Sequence, residues 1–66
     1  MTGELGVGDI LFDIEQNVHL LLMDYEWIEN DGDRWDTWNF IVLGEDRESW
    51  YYAVLLEDER FFERLA

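Results

Sequence analysis

Apolar positions recur every second residue in four stretches of this 66-residue chain. In residues 9–14, DILFDI, Ile10, Phe12 and Ile14 fall on one side and Asp9, Leu11 and Asp13 on the other. A period of two marks a half-buried β-strand, because successive side chains leave opposite faces of the pleat. Residues 17–29, NVHLLLMDYEWIE, carry Val18, Leu20 and Leu22 on one parity, then Tyr25 and Trp27 on the other. A switch of parity inside one long strand predicts a bulge or sharp bend near Met23 and Asp24. In residues 37–43, TWNFIVL, Trp38, Phe40 and Val42 share a side. In residues 49–56, SWYYAVLL, Trp50, Tyr52, Val54 and Leu56 share one side, and Tyr51, Ala53 and Leu55 the other. All four stretches are rich in β-branched and aromatic residues, which suit a pleated surface.

The connections fit the same pattern. The chain has no Pro, and its glycines sit between the alternating stretches or before them. Glu15 and Gln16 make a short link after Ile14. Residues 29–36, ENDGDRWD, read as a longer polar loop carrying an Asp-Gly turn signal. Residues 44–49, GEDRES, read as a polar hairpin turn. Beyond Leu56 the pattern changes. Residues 57–62 are read as one helical or 3₁₀ turn with Phe61 or Phe62 plugging the core, and residues 63–66 as a short edge strand. Residues 57–66 contain helix-forming types, and residues 20–28 can be forced into a helix. Four alternating segments outweigh that reading and predict a small all-β barrel or sandwich.

Length permits one domain, residues 1–66, with 1–7 as a flexible or extended N-terminal segment. A domain of this size buries only about 60% of the surface its unfolded chain exposes, so it depends on a tight core or a partner. There is no Cys, so disulfides and thiolate metal sites are excluded, and the single His19 excludes a multi-His site. The first residues have neither the basic region nor the apolar run of a signal or transit peptide. No apolar run approaches the roughly 20 residues that cross a bilayer. A soluble, intracellular protein is expected.

Charge narrows the partners. Seventeen Asp and Glu face four Arg and no Lys, for a net charge of −13. With so few cations, direct binding to a nucleic-acid backbone or an anionic membrane is disfavoured. A protein partner with a basic or mixed surface is favoured, or self-association. Solubility and salt adaptation are alternative reasons for the same acidity.

Several short motifs together carry a family resemblance. VGDILFD (residues 7–13) opens a strand, an aliphatic strand ends in Asp24 and Tyr25, WNFIVL (38–43) follows, and WYYAVLLEDERFFERL (50–65) closes the chain. This resembles the small SH3-like barrel proteins of tailed phages over nearly the whole chain. The resemblance implies a small five-stranded SH3-like barrel with a short 3₁₀ turn before the last strand. It also implies a viral origin, with the host cytoplasm as the place of synthesis and a role in the virion or against the host. The chain departs from the pattern in its long acidic segment at residues 29–36 and in its missing basic residues, which argues against a nucleic-acid role. An aromatic cage for methylated Lys is a further use that SH3-like relatives imply.

Candidate sites divide into weak and stronger signals. Glu29, Asn30, Asp31, Asp33 and Asp36 gather oxygen ligands, but their spacing does not match a twelve-residue calcium loop. They read as a solvated loop, and no metal or cofactor is assigned. His19 with Asp24 or Glu26 lacks the pocket that acid–base chemistry needs, Ser49 is the only Ser, and no Gly-rich loop precedes a Lys. No catalytic residue is assigned and no enzyme activity is expected. The stronger signal is eleven aromatic rings in so short a chain. Trp38, Phe40, Trp50, Tyr52 and Phe12 are assigned inward, which leaves Tyr25, Trp27, Trp35 and Tyr51 partly outside. Trp and Tyr are favoured at binding hot spots. Tyr25, Trp27, Trp35, Tyr51, Asp31 and Asp33 are therefore the candidate partner-binding residues. An interaction protein of the virion or its assembly is the first reading. The alternative is a DNA mimic, whose carboxylates would imitate phosphates and inhibit a host nucleic-acid-binding enzyme.

Overall fold

The computed structural model describes residues 5–65. Residues 1–4 of the N-terminal segment and Ala66 at the end of the expected edge strand lie outside the described residues. The chain is all-β. Five strands, β1 (Ile10–Asp13), β2 (Val18–Asn30), β3 (Asp33–Val42), β4 (Arg47–Tyr52) and β5 (Phe62–Arg64), form one antiparallel sheet in the order β4-β3-β2-β1-β5. A short helix, α1 (Ala53–Leu56), lies between β4 and β5. The sheet is not closed: β4 and β5 are its edges, and no ladder joins them among the described residues.

Register fixes which side chains share a face, because directly opposed residues point the same way. Leu11 lies opposite Leu20, Leu20 opposite Val42, and Leu22 opposite Phe40. This row of aliphatic and aromatic pairs is the core. Trp38, Ala53, Leu56 and Phe62 complete it, and Leu5 and Val18 pack against it. Leu22 has no exposure at all.

The parity switch in β2 is a bulge. The register slips between Leu22 and Asp24, leaving Met23 unpaired and exposed. The slip keeps the apolar set inward: Tyr25 falls opposite Trp38 on the core face, where strict alternation would have put Asp24.

Three expectations need correction. The expected loop at residues 29–36 is a two-residue hairpin turn, Asp31–Gly32, closed by the Asn30 and Asp33 pair. Both turn residues have positive φ, 50° and 84°, as a type I′ turn requires. Trp35 and Asp36 are therefore strand residues. β1 pairs with β2 only along Val18–Leu21, and β4 with β3 only along Thr37–Val42, so the far end of the hairpin is a two-stranded ribbon. Second, the strand expected over residues 49–56 stops at Tyr52. An unexpected helical turn forms at Ala53–Leu56, where the Glu57 N–H donates to the Ala53 carbonyl at 3.1 Å; the turn expected within 57–62 is also present, the Asp58 carbonyl accepting the Phe61 and Phe62 N–H groups at 3.1 and 3.0 Å. Phe62 does plug the core, while Phe61 stays exposed. Third, the first strand turns Leu11 inward and leaves Phe12 half-buried on the opposite face, against the His19 ring at 5.0 Å. Asp13 is buried on the core side because it builds the next turn. Its carboxylate accepts the Gln16 N–H at 3.0 Å and its carbonyl accepts the Asn17 N–H at 2.7 Å.

Candidate protein-docking surface

The core face extends past the core. Tyr25, Trp38 and Tyr51 form one row across β2, β3 and β4. Tyr25 and Trp38 meet at 5.1 Å between ring centroids, and Tyr51 meets Phe62 edge-on at 6.2 Å. Trp38 is 5% exposed and anchors the row, while Tyr25 and Tyr51 flank it with exposed edges. One register step along, Trp27 lies opposite Asp36, and the Arg34 guanidinium stacks 4.6 Å from the centre of its ring. The Tyr25 hydroxyl is held protonated above its usual range. The first cause is its hydrogen bond to the Asp36 carboxylate. Partial desolvation and the charges of Asp36 and Glu57 add to the effect, and Arg34 opposes it. A cleft of about 380 Å³ opens here between the sheet and α1, lined by Leu5, Tyr25, Asp36, Trp38, Ala53 and Glu57. Ring faces beside carboxylates suit an ammonium or guanidinium group.

The outer face is also aromatic. Ile28 lies opposite Trp35, Tyr52 opposite Thr37, and Trp50 opposite Asn39. The Trp50 and Tyr52 rings meet edge to face at 5.4 Å with an interplanar angle of 88°. Trp50 is 54% exposed, and Tyr52 and Ile28 are exposed as well. This overturns the inward assignment of Trp50 and Tyr52. β4 is apolar on both parities, and its register on β3 puts Tyr51 and Ser49 on the core side instead. Thr37, opposite Tyr52, is buried at 4% on this face.

The six candidate partner-binding residues thus divide three ways. Tyr25, Trp27 and Tyr51 share the core face, Trp35 lies half-buried on the outer face, and Asp31 and Asp33 sit at the ribbon tip. The oxygen-bearing residues of the ribbon are dispersed by the same register. Glu29 and Asp36 take the core side and Asp33 the outer side. Among the described residues no group of three or more His, Asp or Glu gathers to hold a metal ion. His19 faces Phe12 on the outer side. Trp50, Tyr52 and Ile28 are the surface residues that period alone misses. The usable signal was the tight Asp-Gly turn, which fixes the β2–β3 register and with it the faces of Ile28 and Trp35.

Among the described residues no helix is long and apolar enough to cross a membrane. Comparisons with protein-family models, with curated proteins and with solved structures return no match to this chain.

Proposed function

We propose that this chain is a small acidic interaction module that docks on a basic or mixed protein surface through exposed aromatic rings. One observation carries the reading. Tyr25, Trp27, Trp50, Tyr51 and Tyr52 all remain exposed in a chain whose net charge is −13. Leaving that much ring surface in water forgoes about 25 cal/mol for each Å² that a partner would cover. Carboxylates beside the rings favour Lys and Arg on that partner, with cation–π contacts adding about 0.5–2 kcal/mol each.

The finer reading is an SH3-like barrel of phage origin that serves in the virion or its assembly. Five antiparallel strands with a helical turn before the last support it, as does the contact of Tyr51 on one edge strand with Phe62 on the other, which curls the sheet toward closure. Quantitative mass spectrometry of purified particles tests the placement. Stoichiometric copies of the chain are expected. Recovery only with a host nucleic-acid-binding enzyme would replace this reading with mimicry of DNA.

A further inference from the structure

We propose that the outer face of the sheet is the docking face, and that it receives a protein surface whose apolar centre is ringed by Lys or Arg side chains. The inference rests on the interaction reading above and assigns it to one side of the molecule.

The distribution of charge separates the two faces. By register, Arg34, Arg47 and Arg64 all lie at core-side positions, opposite Glu29, Val42 and Leu11 respectively. Arg34 already covers Trp27, and Arg64 pairs with Asp9 at 3.1 Å. Among the described residues, the outer strand positions carry no Arg. They carry Asp24, Glu26, Asp33, Glu48 and Glu63, with His19 the one basic side chain among them. The outer face of the described sheet therefore presents rings and carboxylates with no Arg of its own to answer them.

Apolar side chains lie around Asn39 and Thr37 on this face, and the two rings on β4 are pre-set against each other. Leu21 and Ile41 oppose each other, Trp50 follows across Asn39, and Tyr52, Trp35 and Ile28 extend the patch toward the ribbon. The Trp50–Tyr52 edge contact holds both rings in place. The Glu26 carboxylate accepts a hydrogen bond from Asn39 Nδ2 at 2.8 Å, which orients a negative charge on this face, across β3 from those rings, before any partner arrives. Groups ordered in advance lose less entropy on binding. Two copies joined outer face to outer face would bring like charges together, which disfavours a symmetric dimer through this face. Phosphate backbones are repelled for the same reason.

The four Trp residues make the test direct, because each indole N–H gives its own signal in a ¹⁵N-labelled sample. Trp35 and Trp50 report the outer face, Trp27 and Trp38 the core face. The full chain is titrated with a short peptide of alternating Lys and Leu, with its Glu–Leu counterpart, and with oligolysine. The expected result is movement of the Trp35 and Trp50 signals with the Lys–Leu peptide, and binding at least about tenfold weaker for the other two. Trp50→Ala should weaken binding by about tenfold or more with an unchanged far-UV spectrum. Movement of Trp27 with Trp35 and Trp50 silent overturns the outer-face assignment and leaves the interaction reading standing. Equal binding of oligolysine or of the Glu–Leu peptide removes the apolar or the charge part of the proposal. No movement with any peptide counts against both the face and the reading.

Discussion

Replacing the same residue type on opposite faces of the sheet separates core from surface. Trp38 is 5% exposed and Trp50 54%. Truncating a buried Trp to Ala costs about 3–5 kcal/mol, the lost transfer energy plus the cavity left behind. A Trp buries on the order of 200 Å², so Trp38→Ala returns nearly all of that loss. Trp50 already leaves more than half its surface in water, and its removal opens no enclosed cavity. Trp50→Ala should therefore cost about half as much or less, including the edge contact with Tyr52, worth about 0.5–1.5 kcal/mol. For 66 residues at about 0.05–0.15 kcal/mol each, total stability is about 3–10 kcal/mol. Trp38→Ala then removes a large share of it. Urea unfolding followed by far-UV circular dichroism measures both variants without relying on indole fluorescence. With a slope of about 1 kcal/mol per molar urea, a gap of about 2 kcal/mol separates the midpoints by about 2 M. If Trp38→Ala is unfolded without denaturant while Trp50→Ala folds, the order is as expected. Equal midpoints, or a larger loss for Trp50→Ala, would refute the assignment of faces.

Other consequences follow from local chemistry. Gly32 has φ of 84°, and a Cβ added there would meet nothing within 4 Å, so Gly32→Val should cost about 1–2 kcal/mol through backbone strain alone and speed amide exchange along the ribbon, whereas Gly32→Asn should be milder. The Tyr25 hydroxyl is held above its ordinary pKa chiefly by Asp36, so its contribution to stability is present below the unfolded value and lost as pH rises through the folded one; Asp36→Asn should bring the Tyr25 transition down in an ultraviolet titration. Hydrogen bonds from the Arg60 side chain and backbone N–H lower Asp58 from 3.8 to about 2, so the unfolded chain binds more protons between those values and this contribution fades as pH falls from about 4 toward 2; Arg60→Ala removes the side-chain bonds and keeps the backbone one, so it should raise the Asp58 carboxyl only part of the way by NMR titration.

How far the fold can be read from the sequence depends on how much of each strand has a wet face and a dry one. Residues 18–27 announce their bulge, because the aliphatic parity breaks at Met23 and any straight register would bury Asp24. β3 is legible for the same reason, with Trp38, Phe40 and Val42 alternating against Asn39. β1 misleads, because DILFDI is apolar on both sides and its buried acid, Asp13, is held by the turn it builds. β4 misleads more: Trp50, Tyr51 and Tyr52 are all rings, so period two cannot choose a face, and the inward assignment of Trp50 and Tyr52 fails. The ribbon reads as a loop because neither face near its tip meets a core, so its residues have no burial to alternate with. Only the positive φ demanded at Asp31 and Gly32 betrays a tight hairpin. Among the candidate site residues, exposure of Tyr25, Trp27 and Tyr51 follows from the surplus of rings over core volume. Their separation from Trp35 onto opposite faces follows from register, which spacing within a single strand does not contain.

The rings divide between packed positions beneath the sheet, such as Trp38, and uncovered positions on both of its faces, such as Trp27 and Trp50. Laser-induced nuclear polarisation with a flavin dye reports which indoles a small molecule can touch in the dilute, isolated chain. Strong signals from Trp27 and Trp50 and none from Trp38 are expected. A bright Trp38 or a dark Trp50 would contradict the account.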